Sequence, residues 1–124
     1  MTATEHNDTH GSDQPTEAQS AASGDITLAE FQRLIREMYL PKDVARGADG
    51  TFMWLIEEVG ELAAAVRSGS HEERMGEFAD VLAWLATIAN VVDVDLAAAV
   101  QQKYGAGCPG CGQMVCTCAD AEKP

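Results

Sequence analysis

Residues 51–67 read TFMWLIEEVGELAAAVR, and residues 70–85 read SHEERMGEFADVLAWL. In the first stretch Leu55, Val59, Leu62 and Val66 recur at i, i+4, i+7 and i+11, one stripe of an α-helix. In the second, Phe78, Val81, Leu82, Leu85 and then Ile88 keep a helical period. Ser68-Gly69 stops the first run. Ser70 with Glu73 forms an S/T-x-x-E capping box that starts the next. The pattern predicts helices over about 51–67 and 70–92. So short a connection makes them antiparallel neighbours, an αα-hairpin.

The flanks extend this all-α reading. Thr27 and Glu30 form a second capping box ahead of Leu28, Phe31, Leu34, Ile35 and Met38. That predicts a helix from Thr27 to Leu40-Pro41, because a residue before proline disfavours the α region. Residues 41–50, PKDVARGADG, are expected as a loop. Its Lys42 and Arg46 either meet phosphates or are ordinary surface charges. Asp95 is a candidate N-cap for a fourth, short helix reaching Lys103. No stretch alternates with period two. The expected fold is an antiparallel helical bundle, with three parts. Residues 1–24 are a polar, disordered N-terminal tail, in which His6 and His10 bind metal or are simply solvated. Residues 25–104 are the helical domain, and 105–124 a four-cysteine zinc-binding tail.

The formal charge is −12, from 20 acidic and 8 basic residues among 124. That excludes a general binder of nucleic acid or anionic membrane, which needs clustered Lys and Arg. A chain this acidic needs a cation as mediator if it handles phosphates. No run approaches the roughly 20 apolar residues of a membrane span. The N-terminus lacks the basic start and apolar run of a signal peptide. The expected location is cytoplasmic, where thiols stay reduced.

Glu58 and Glu61 lie three residues apart on the first helix of the hairpin, and Glu77 and Asp80 three apart on the second. Residues at this spacing share a helix face. Each pair flanks the apolar stripe, so the four carboxylates can converge near the helix interface. At ~4 Å each like-charged pair costs about 4 kcal/mol at an effective dielectric of about 20. Either some protonate or a cation sits among them. Oxygen-only ligands select Mg²⁺ or Mn²⁺ over zinc. None of the four carries Lys or Arg at i+4, the usual partner on a solvated face. Gly60, inside the helix, costs about 1 kcal/mol against alanine and suggests close approach of a backbone or ligand.

Cys108, Cys111, Cys116 and Cys118 form a CxxC followed by a CxC. The Cys-Pro-x-Cys-Gly run resembles a zinc knuckle. Four thiolates on glycine-rich spacers can enclose one tetrahedral Zn²⁺. With every ligand from the protein, such a site is structural.

The order of Trp54 to Leu62 followed by Glu77 to Leu82 resembles the EExxE…ExxD signature of the MazG nucleotide pyrophosphohydrolase family. Ala89 to Leu96 and Lys103-Tyr104 are similar too, so the likeness spans about 27–104. It implies an all-α hydrolase that splits nucleoside triphosphates into monophosphate and pyrophosphate, as a homodimer or homotetramer. By position, Glu58, Glu61, Glu77 and Asp80 would hold Mg²⁺. Glu57 would take a second ion or orient the attacking water. Lys103 would face the substrate phosphates, or else be a surface lysine. Trp54, one turn before Glu58, packs on the base or in the core, and Trp84 carries the same ambiguity. The implied partners are a nucleoside triphosphate and a second copy, with no nucleic acid and no membrane. The rival reading is a non-catalytic helical interaction module with structural metal sites. A weaker one is a phosphohydrolase acting on a non-nucleotide diphosphate.

Overall fold

The computed structural model describes residues 24–119; the expected N-terminal tail and its His6 and His10 lie outside them. Every regular element among the described residues is helical: α1 (Leu28–Ser68), α2 (His71–Val91) and α3 (Leu96–Tyr104). No single helix there is long and apolar enough to cross a membrane.

Both capping boxes form. Thr27 Oγ1 accepts from the Glu30 N–H at 3.1 Å while a Glu30 oxygen accepts from the Thr27 N–H at 2.8 Å. Ser70 and Glu73 repeat this at 3.1 and 2.6 Å. Each box satisfies donors that a helix start otherwise leaves bare. Asp95 caps α3 by accepting from the Ala98 N–H at 2.9 Å. Asp93 closes α2 at φ 57, and the Val94 N–H returns to the Ala89 carbonyl at 2.8 Å. That six-to-one bond is the Schellman arrangement. Aspartate is among the few residues that enter the left-handed region readily.

One expectation fails. The helix does not end at Leu40-Pro41, and residues 41–50 are not a loop. α1 runs on through Pro41, and its break is the single residue Gly47, at φ 82 and ψ 171. The fixed φ of proline is itself helical. What the ring removes is the bond to the Glu37 carbonyl. Glu37 and Pro41 are both exposed, so water can take that carbonyl. Gly47 is the natural hinge because a side chain is strained at positive φ. Thr51, fully buried, repairs the far side by donating from Oγ1 to the Gly47 carbonyl at 2.8 Å. There are therefore three helices where four were expected, with the first two joined by a kink.

α1 and α2 lie antiparallel across the two-residue turn Gly69-Ser70. The buried apolar residues are few: Ile35, Leu55 and Ala65 on α1 and Ala86 and Ala89 on α2. A polar knot locks the open end. Gln32 donates to the Asn90 side chain at 3.1 Å and to the Val94 carbonyl at 2.7 Å, and accepts from the Leu96 N–H at 2.9 Å. Asn90 donates back to the Gln32 carbonyl at 3.2 Å. This ties the start of α1 to the end of α2 and the start of α3. It fixes the register that brings the carboxylates of the two long helices together.

Candidate metal centre and adjoining cleft

Glu58 on α1 and Glu77 and Asp80 on α2 each offer a carboxylate oxygen, all within 4.8 Å of one another. The antiparallel register sets this up: i and i+3 on α2 present two carboxylates towards one on α1. Two of these groups carry a buried oxygen without a hydrogen-bond partner, Glu58 Oε2 and Glu77 Oε2. An orphaned buried carboxylate oxygen is costly. Burial holds the Glu58 carboxyl above the usual carboxylate range, with Glu61, Asp80 and Glu77 adding repulsion; the neighbouring Trp84 side chain pulls the other way. Burial also raises Glu77, followed by repulsion from Glu61, Asp80 and Glu73. Crowded, under-satisfied, oxygen-only ligands are the donor set of a hard divalent cation, and the residues fit one.

Glu61 stands beside the set. It is outside the grouped three, yet its charge acts on both Glu58 and Glu77, and it shares with Glu77 the lining of a shallow recess between the helices. Glu57, the next residue round the helix from Glu58, is exposed and outside the group. A Cβ on Gly60 would meet nothing within 4 Å, so no backbone among the described residues approaches it. Lys103, near the end of α3, holds its ammonium 5.5 Å from the Tyr104 ring centroid.

Trp54 does not lie in the core; it is exposed and stacks on Trp84, with centroids 5.8 Å apart and planes 13° apart. Arg46 lies over the Trp84 ring at 5.0 Å, a cation–π contact, and donates to Asp43 Oδ1 at 3.1 Å. Next to these, a cleft of about 400 Å³ is lined by Tyr39, Lys42, Asp43, Arg46, Trp84 and the cluster's own Asp80. It falls within the size range of small-molecule sites. Sequence reasoning missed Asp43. The available signal was its i, i+3 spacing from Arg46, which means something only if the helix passes through Pro41.

The four cysteines come together as expected, their sulfurs within 4.8 Å of one another. All four are thiols, with Cys108 Sγ 3.4 Å from Cys116 Sγ and 3.9 Å from Cys118 Sγ. Gly107 and Gly112 turn the chain at φ 110 and 72. A Cβ on Gly110 would stand 2.9 Å from Cys118 Sγ, so only glycine leaves room for that sulfur. Backbone N–H donors, chiefly from Thr117 and Gln113, pull Cys111 down to about 5. The neighbouring sulfurs, Cys116 foremost, push Cys118 up to about 12. Cys111 is thus the readiest thiolate, and a cation among the sulfurs would favour ionisation of the others. The site fits a soft, tetrahedral cation with four thiolate ligands.

The carboxylate cluster predicts a pH-dependent response to Mg²⁺. Because Glu58 and Glu77 are raised in the fold, their contribution to stability is complete below the ordinary carboxylate range and fades as pH rises through the raised values. Mg²⁺ should therefore raise the thermal midpoint more at pH 8 than at pH 5, followed by circular dichroism. Equal shifts at the two pH values would contradict a cation bound to these carboxylates.

A protein-family model described as the MazG nucleotide pyrophosphohydrolase domain matches residues 47–109, just over half of the chain. The match begins at the Gly47 hinge and takes in Glu58, Glu61, Glu77 and Asp80. No curated protein matches the chain.

Proposed function

The chain belongs to the MazG nucleotide pyrophosphohydrolase family, and on that premise we propose that it hydrolyses nucleoside triphosphates to monophosphate and pyrophosphate in a Mg²⁺-dependent reaction. The observation that carries the reading is the pair of orphaned carboxylate oxygens, Glu58 Oε2 and Glu77 Oε2, beside Asp80. Glu58, Glu77 and Asp80, supported by Glu61, would hold the cation. When bound, Mg²⁺ supplies charge neutralisation at phosphate oxygens and a lowered pKa for water.

The chain's own residues do the rest. The two long helices fix the carboxylates on rigid backbone, so the site is organised before substrate arrives. Asp80 belongs both to the cluster and to the cleft, so a nucleotide in the cleft directs its phosphates at the carboxylates. Glu57, exposed beside Glu58, is assigned the attacking water: it accepts a proton and aims the oxygen at the anhydride between the α and β phosphates. Trp54 and Trp84 offer a stacked aromatic surface near the base, and Lys103 a cation for the leaving pyrophosphate.

We assign the cysteine tail a structural Zn²⁺ held by Cys108, Cys111, Cys116 and Cys118. The domain limits of 25–104 and 105–124 follow from that division. The chain's surface argues for assembly. Phe52, Ile56, Met75 and Phe78 are all about half exposed or more, and Leu82 and Leu85 stand open beside them. Apolar side chains in such number belong at an interface. A second copy is the proposed cover, as a homodimer or homotetramer; a single-chain mass by light scattering would remove it. We propose a cytoplasmic site of action, where closely spaced cysteines stay reduced and serve as metal ligands.

The test is product analysis. With Mg²⁺, a panel of nucleoside triphosphates should yield monophosphate and pyrophosphate in equal amounts from at least one member, and nothing when the metal is chelated. Orthophosphate and diphosphate as the products would contradict the reading. Folded, metal-loaded protein inert towards the whole panel would favour the non-catalytic module.

A further inference from the structure

Three buried side-chain oxygens among the described residues lack a partner: Glu58 Oε2, Glu77 Oε2 and Asp43 Oδ2. A divalent cation accounts for the first two. It does not account for the third, which belongs to another part of α1. Asp43 is only 2% exposed. Its Oδ1 accepts from Arg46 at 3.1 Å, and this is the one ion pair among the described residues. Its Oδ2 is buried without a partner, and Asp43 is among the residues that line the cleft with Trp84 and Asp80. Asp43 and Arg46 also lie before the residues matched by the family model, which starts at 47.

We infer that Asp43 is a specificity residue, reading an amino group on the Watson–Crick edge of a nucleobase seated in the cleft. This rests on the proposed nucleotide-hydrolysing function. An ionised carboxylate can only accept hydrogen bonds, so the missing partner must be a donor. Arg46 already occupies Oδ1 and cannot fill both positions from a single contact. With phosphates drawn to the carboxylate cluster at Asp80, the base is the part of a nucleotide that reaches the rest of the cleft. There Tyr39 and Trp84 supply aromatic surface, and Arg46 supplies a donor for an adjoining ring nitrogen. An exocyclic amine, as in cytosine or adenine, gives Oδ2 the proton it lacks. The keto oxygen that replaces it in uracil or hypoxanthine sets two acceptors face to face and leaves both unpaired. The imino N–H lies between two carbonyl oxygens in uracil and beside one in hypoxanthine, and a carboxylate that approaches it is repelled by those oxygens. A buried site built to accept a hydrogen bond rejects the analogue that cannot donate it. The substrate class is therefore an amino-bearing nucleotide in preference to its deaminated counterpart.

Equilibrium binding tests this without relying on catalysis. Quenching of tryptophan fluorescence by dCMP against dUMP, and by dAMP against dIMP, compares bases that differ mainly in the group facing Oδ2. The wild-type protein should bind the amino member at least about tenfold more tightly in one or both pairs. In Asp43→Asn, which can present an N–H₂ donor, the ratio should fall within threefold or invert. Wild-type affinities within threefold in both pairs, no saturable binding of any of the four, or a preference that survives Asp43→Asn would each overturn the inference. The wild-type comparison stands even if the variant folds poorly. Hydrolysis of the matching triphosphates separates the two claims. Amino preference in binding with no hydrolysis would sink the enzymatic reading and leave this one standing. Hydrolysis without preference would do the reverse.

Discussion

Glu58→Gln should lower kcat by about 10³-fold while leaving the helical circular dichroism spectrum unchanged. Glu58 is the single α1 member of the grouped carboxylates, so without it the cluster has ligands from one helix only. Metal-based charge stabilisation is worth several kcal/mol, and about 4 kcal/mol corresponds to roughly 10³ in rate. The amide keeps the shape and removes the charge. Two further consequences distinguish loss of a ligand from loss of fold. The gain in thermal midpoint on adding Mg²⁺ at pH 8 should shrink sharply. The metal-free variant should melt no lower than the metal-free parent, because repulsion from Glu61, Asp80 and Glu77 at that position is relieved. A kcat within threefold of wild type would remove Glu58 from the ligand set.

Cys111→Ser should abolish tight zinc binding. Native mass measurement should show one zinc per chain in the parent and none in the variant. Structural zinc sites of this size contribute about 10–16 kcal/mol of apparent binding free energy at neutral pH. Loss of a direct ligand costs more than the roughly 10–100-fold that follows from losing an outer partner. Cys111 is the thiol most readily ionised, through the backbone N–H groups of Thr117 and Gln113, so its removal strikes the anchor of the set. The segment after Tyr104 has little regular structure of its own, and its turns at Gly107 and Gly112 lead directly into the cysteines. Limited proteolysis should therefore cut the variant after α3 while leaving α1 and α2 intact. A variant that retains one zinc, or a parent with none when its thiols are reduced, would contradict the assignment.

Local signals carried much of the fold. The Thr27 and Ser70 capping boxes and the Asp95 cap are written in side chains within one helical turn, so spacing alone locates three helix starts. The Pro41 failure has the opposite cause. A proline's local preference argues for a stop, but burial of Ile35 before it and Thr51 and Leu55 after it outweighs the single lost backbone bond. Tertiary packing of that kind leaves no mark at one residue's spacing.

The candidate site divides in the same way. Glu58, Glu77 and Asp80 could be placed together because i, i+3 spacing and an antiparallel hairpin dictate it. Glu61 follows the same spacing on α1 yet falls just outside the group, since the crossing of two helices brings one residue of a pair nearer than the other. The cleft was illegible. It depends on the Gly47 kink, which carries Tyr39, Lys42, Asp43 and Arg46 to the Trp84 face of α2, and nothing in the linear spacing states that angle.

Crystals soaked in Mn²⁺ provide the most direct test of the carboxylate centre, because that ion scatters anomalously and takes the place of Mg²⁺. An anomalous peak should appear between α1 and α2, within coordinating distance, about 2.0–2.3 Å, of oxygens from Glu58, Glu77 and Asp80. No peak between those helices, with the three side chains turned apart into solvent in every copy, would contradict it.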